Sequence, residues 1–239
     1  MTDTRDTTLT LSPSDGTTMT CHASEPSAGE PRGGLLLLQE AFGVNDHIID
    51  LARRLANEGY RVIAPELYHR TAPGFQADYD DIDQARAEMA KLTEDGLTAD
   101  LVAAHEWLKS GGVAEERIAS IGFCLGGRVA FLANLALPLA GAISFYGGGI
   151  PGLADRFSQG SGPHLLVWGG RDHAIDREQR EATERGLDEA GRLYTSIVFS
   201  EAGHGFFCDR RDSYAPSAAA QAWPLTLAFL EQVIPGRGR

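Results

Sequence analysis

The chain has 239 residues, 43% hydrophobic and 23% charged, enough to bury a sizeable core and unlike a disordered or fibrous composition. Its formal net charge of −12 leaves no basic surplus to neutralise phosphates, which argues against nucleic acid as a partner. The longest apolar run, residues 35–38, is far too short to span a bilayer, and the polar stretch 1–14 has no apolar segment of the kind a signal peptide needs.

In chain order, residues 1–6 read as a frayed end. Residues 8–12 and 17–23 alternate polar and apolar around Pro13-Ser14-Asp15-Gly16, the pattern of a hairpin at a sheet edge. Residues 25–34 are rich in Pro and Gly and read as a loop. A strand–helix rhythm follows. Residues 34–38 form a continuous apolar run, as expected of a strand buried on both faces. Asn45 or Asp46 can cap a helix over 48–58, and residues 61–64 are the next strand, stopped by Pro65. Residues 67–81 are loop-like. Helical spacing returns over 82–92 and 98–110. Strands are expected at 117–121, 141–146, 164–168 and 194–199, and helices at 126–135, 176–190 and 217–233. The alternation predicts a three-layer α/β/α sandwich with a mostly parallel sheet, formed by one domain spanning 1–239.

Four segments fall just after strands: 39–43, 122–127, 169–172 and 201–206. In such sheets the ligand site lies beyond the C-terminal strand ends, where these four converge. The second, Gly122-Phe123-Cys124-Leu125-Gly126-Gly127, joins a strand to a helix by a turn tight enough to require glycine on both sides. Such an elbow lifts its central side chain above the sheet edge. Cys124 is therefore the candidate nucleophile. Free thiols are mostly protonated at neutral pH, so the sulfur needs a base and the base a carboxylate. Asp172 and His204 follow, each just beyond an apolar strand, in the order nucleophile, acid, base. Asp176 is better placed than Asp172 to cap the next helix, which leaves Asp172 for the histidine. Glu40 lies directly beyond the strand at 34–38 and faces the same place. The N–H of Ala41 is positioned to pair with that of Leu125 as an oxyanion hole. Cys21, Cys124 and Cys208 are an odd number without metal-ligand spacing, so free thiols, no metal and a reducing cytoplasmic compartment are expected.

Four blocks together resemble the dienelactone hydrolase family (carboxymethylenebutenolidases) of the α/β-hydrolase superfamily: Gln39-Glu40-Ala41-Phe42-Gly43-Val44-Asn45, the Cys124 elbow, Phe145-Tyr146-Gly147 and Ala202-Gly203-His204-Gly205-Phe206. The resemblance covers essentially the whole chain. It implies an α/β-hydrolase fold, a Cys124–His204–Asp172 triad, and Glu40 holding the cysteine proton until substrate arrives. It implies a cofactor-free hydrolase acting on small lactones or activated esters, as family members do when they open dienelactone to maleylacetate in the breakdown of chlorinated aromatics. The family's arginine pair for a substrate carboxylate is displaced here, because Cys208 stands four residues after His204. Arg86 and Arg210 are the bases left for that role, with Phe42 and Tyr146 as further substrate contacts. An esterase of different specificity and a thiol redox sensor on the same scaffold are the other readings. The protein is expected as a monomer or homodimer, away from nucleic acid and membranes.

Overall fold

A computed structural model describes residues 4–234. Eight strands join one sheet in the order β1-β2-β4-β3-β5-β6-β7-β8, with β1 (Thr4–Leu11), β2 (Met19–Pro26), β3 (Gly34–Leu38), β4 (Arg61–Pro65), β5 (Ile118–Phe123), β6 (Gly141–Phe145), β7 (His164–Gly169) and β8 (Tyr194–Phe199). The first two pairings, β1 with β2 and β2 with β4, are antiparallel. From β4 to β8 every neighbour is parallel. Every residue of β3, β5, β6 and β7 is buried. That is why these strands read as mainly apolar rather than alternating, with Ser120, Ser144 and His164 the buried polar residues among them. The expected frayed end differs: Thr4, Arg5 and Asp6 are the start of β1, paired with Pro26, Glu25 and Ser24. Residues 1–3 lie outside the described residues.

The helices are α1 (Asp46–Asn57), α2 (Ile82–Met89), α3 (Glu94–Ser110), α4 (Leu125–Ala136), α5 (Arg177–Glu189) and α6 (Pro216–Val233). They cover the sheet to give the three-layer α/β/α sandwich of an α/β hydrolase. Asn45 caps α1, its side chain accepting from His47 and Ile48 N–H at 3.2 and 3.3 Å. Asp176 caps α5 through the Gln179 N–H at 2.8 Å, as its position predicts. Two features differ from expectation. Thr93, not the residue before 98, caps α3, so this helix starts a turn earlier. Residues Ile150–Gln159, for which no element was expected, form a 3-10 segment.

The main core lies between the sheet and its helices. A second, small cluster of Ala41, Phe42 and Ala85 sits apart from it, with Tyr79, Ile82 and Met89 packed around. Ala85 is the one buried residue of α2, so this short helix rests on the small cluster rather than on the sheet. No helix among the described residues is long and apolar enough to cross a membrane.

Candidate active site

Cys124 ends the run from β5 and precedes α4 with φ 55° and ψ −117°, a backbone conformation that L side chains rarely adopt. Its neighbours make the turn possible. A Cβ on Gly122 would stand 1.9 Å from the Gly126 carbonyl oxygen, and a Cβ on Gly126 would stand 2.2 Å from that of Leu38. The Cys124 N–H donates to the Phe145 carbonyl at 3.0 Å, which ties the elbow to β6. The sulfur lies at the amino end of α4, where unpaired N–H groups favour negative charge.

His204 and Asp172 come from the loops after β8 and β7. His204 Nδ1–H donates to Asp172 Oδ2 at 2.8 Å. Asp172 Oδ1 accepts from the Ala174 and Ile175 N–H groups at 2.8 and 3.0 Å, so the buried carboxylate is fixed on both oxygens. On its other side His204 shares a cavity wall with Cys124, which acts on the imidazole. Burial works against the imidazolium, but hydrogen bonds to Asp172 and Cys124 and their charges outweigh it and push the pKa up to about 10. A pKa raised above the ordinary histidine value stabilises the fold fully below about pH 6.5, and that contribution drains away as pH rises through about 10. His204→Gln should therefore melt below the wild type at pH 7, with the gap closing towards pH 10. Melting curves that stay parallel over this range would mean that His204 is not charged here.

Glu40 is buried beyond β3, and Oε1 accepts from Arg211 Nη1 at 3.2 Å. Oε2 has no hydrogen-bond partner among the described residues. Burial raises its pKa, and the charges of Arg211 and His204 draw it only part of the way back. In this structure the hydrogen-bond partner of Glu40 is Arg211. Ala41 and Leu125 both line the cavity beside Cys124. The Ala41 carbonyl is held by the Tyr68 hydroxyl at 3.0 Å, and the Ala41 N–H is not consumed by a backbone bond.

Cys124, His204, Ala41, Leu125 and Arg211 open into one cavity of about 640 Å3. Its polar lining includes Cys124, His204, Arg128 and Arg211, and its apolar lining includes Ile82, Met89, Leu92, Leu97 and Ile175. Of the expected substrate contacts, Arg86 reaches this wall, although its guanidinium also approaches Asp83 at 3.5 Å and its side chain is largely exposed. Arg210 does not reach it. It lies outside, bonded to Asp46 at 3.1 Å, and the next residue, Arg211, turns inward over the rings of Phe42 and Tyr79. Phe42 and Tyr146 are fully buried and form no part of the cavity lining. Phe42 underlies Arg211, and the Tyr146 ring packs 5.2 Å from that of His204. Arg128 was not singled out in the sequence. Its signal was there: four residues after Cys124 on the same helix, it shares the nucleophile's face. Among the described residues it makes no ion pair, whereas Glu94 on the cavity wall is already bonded to Arg156.

A buried group stands behind Glu40. The ligand-capable atoms of Glu40, His47 and Cys208 lie within 4.8 Å of one another. Burial lowers the His47 pKa to about 4 and raises the Cys208 thiol to about 11.

Comparison with known proteins places the chain. The model of the dienelactone hydrolase family matches residues 19–234. A relative from Synechocystis sp., provisionally named a carboxymethylenebutenolidase, is 33% identical over 91% of this chain and 93% of its own. One from Escherichia coli (strain K12) with the same provisional name is 34% identical over 94% of this chain and 86% of its own. A crystal structure from Klebsiella pneumoniae, provisionally named a dienelactone hydrolase, superposes with a TM-score of 0.87 at 33% identity, covering 96% of this chain and 99% of that one.

Proposed function

The chain belongs to the dienelactone hydrolase family, a hydrolase family, and from that premise we propose that it opens small lactones or activated carboxylic esters through Cys124, His204 and Asp172. One observation carries the reading. Three groups from three separate strand ends come together, Asp172 holding His204 at 2.8 Å and His204 lining the same cavity as Cys124. One continuous sheet supports treating the chain as one catalytic domain.

The reaction divides into two steps. A protonated His204 beside the sulfur lets Cys124 react as a thiolate. Sγ attacks the carbonyl carbon, and the oxygen takes the displaced electron pair. The N–H groups of Ala41 and Leu125 stabilise that oxyanion. The carbonyl reforms, the C–O bond of the ester breaks, and the leaving enolate or alkoxide takes a proton from His204. His204, now neutral, removes a proton from water. The hydroxide attacks the thioester, and the thiolate departs. Asp172 keeps Nδ1 protonated so that Nε2 serves as the base. Glu40 stores the cysteine proton when no substrate is bound. Its buried carboxyl tends towards the protonated form, and its bond to Arg211 is the one that a substrate carboxylate would exchange.

The cavity's cations point to the substrate class. Arg128 has no ion pair among the described residues and Arg211 one exchangeable partner, so an ester or lactone carrying a carboxylate would find two guanidinium groups in the cavity that holds the sulfur. The test compares dienelactone with a neutral p-nitrophenyl ester in wild type and Arg128→Met. KM for the anionic lactone should rise about 10-fold or more, the equivalent of a lost charge-assisted hydrogen bond. The neutral ester should be unaffected. Equal effects on both substrates, or a wild type that prefers the neutral ester, would remove the anionic class and leave a general esterase.

A further inference from the structure

Three potential ligands have no task in the hydrolysis above or only part of one: His47, Cys208 and the unpartnered oxygen of Glu40. His47 is 1% exposed and neither ring nitrogen has a hydrogen-bond partner among the described residues. Glu40 is equally buried, and its Oε2 is likewise unpartnered. Cys208 Sγ donates to the Tyr79 hydroxyl at 3.3 Å. Burying polar atoms without partners costs free energy, and the great majority of buried polar atoms have partners. Here one ligand-capable atom from each of Glu40, His47 and Cys208 lies within 4.8 Å of the other two.

We propose that Glu40, His47 and Cys208 form an inhibitory binding site for a divalent cation of the zinc class, separate from the substrate cavity. The chemistry of the donor set selects the ion. One thiolate, one imidazole and one carboxylate suit Zn2+ and do not suit Mg2+ or Ca2+, which take oxygen ligands. Bonds of about 2.0–2.3 Å in a tetrahedron put ligand atoms about 3.3–3.8 Å apart, so the three must close by about 1 Å. The Cys208 proton leaves to solvent as the sulfur–metal bond forms. His47 needs to lose no proton, because burial already keeps it neutral. The fourth position falls to water or to Asp209, whose Oδ1 lies 3.8 Å from His47 Nδ1.

The cation has its own way in. A hollow of about 230 Å3 reaches His47 between Asp46, Asp78 and Tyr79, and none of its lining residues is shared with the Cys124 cavity. Metal and substrate thus enter past different lining surfaces. Binding the metal through Oε2 removes Glu40 from proton storage and fixes the Arg211 partner in place. That inhibitory consequence rests on the proposed role of Glu40; metal binding itself does not.

The experiment has two arms. In the first, Co2+ and Zn2+ are added to Cys124→Ala protein, which cannot bind metal at the nucleophile. One equivalent should bind, with a thiolate-to-cobalt charge-transfer band that Cys208→Ser in the same background abolishes. In the second, ester turnover of otherwise wild-type protein is titrated with ZnSO4 in thiol-free buffer. Zinc should lower kcat without relief at saturating substrate, EDTA should restore it, and Mg2+ should have no effect. Cys208→Ser and His47→Gln should keep basal turnover and need at least 10–100-fold more zinc, since losing a ligand costs no less than losing an outer-shell partner. No binding to Cys124→Ala, or unchanged zinc sensitivity in both folded variants, would overturn the site. Metal binding without zinc inhibition would overturn the inhibitory role alone. A wild type that hydrolyses no ester would count against the proposed function, while the cobalt arm would still decide the metal site.

Discussion

Replacing Cys124 with alanine is expected to lower kcat for ester or lactone hydrolysis by at least about 10,000-fold with the fold intact. The size follows from the division of labour. Removing Sγ removes the only atom placed to form the acyl-enzyme, while the buried Asp172 and the β5–α4 frame are untouched. The oxyanion donors would remain and supply only the residual rate that positioning and electrostatics give. The measurement is single-turnover kinetics together with a melting curve. Turnover within 10-fold of the wild type, in protein melting at the wild-type temperature, would end the case for a thioester mechanism.

The second large effect is structural. Gly122→Ala would place a methyl group 1.9 Å from the Gly126 carbonyl oxygen and 2.3 Å from its carbon, and neither backbone atom can swing away as a side chain could. The first turn of α4 must move. Overpacking of this kind costs about 1–3 kcal/mol, which for a chain of this length lowers Tm by roughly 2–12 °C. The movement also drags Sγ and the Leu125 N–H out of register with His204. A misplacement of about 1 Å costs around 100-fold in rate, so kcat should fall by that factor even at a temperature where the variant is folded. A variant that keeps both the melting temperature and the rate would show that the elbow relaxes at no cost.

The frame of the molecule was readable because its signals are local. An unbroken apolar run marks β3 and mainly apolar ones mark β5, β6 and β7, and glycine or a polar cluster follows each of them. Since ligand sites in parallel sheets lie beyond strand ends, the same punctuation located Cys124, Asp172, His204 and Glu40. What failed was orientation within loops. Arg210 and Arg211 are adjacent in sequence, and only the rings of Phe42 and Tyr79, from distant segments, decide which one turns inward. Phe42 and Tyr146 sit in blocks shared with the family, yet one underlies Arg211 and the other packs on His204. The group of Glu40, His47 and Cys208 has no ligand spacing at all, because the fold joins one loop, one helix start and the segment after His204.

The short helix α2 gives the molecule a division between chemistry and choice of substrate. The reacting groups stand on strand ends set into the large core, where change is costly. Ile82, Arg86 and Met89 stand on a helix anchored by Ala85 in its own small cluster. The wall that meets the substrate can therefore be redrawn, residue by residue, with little penalty to the stability of the sheet. A scaffold built this way acquires new substrates by recutting one eight-residue segment while the machinery that cleaves them is inherited unchanged.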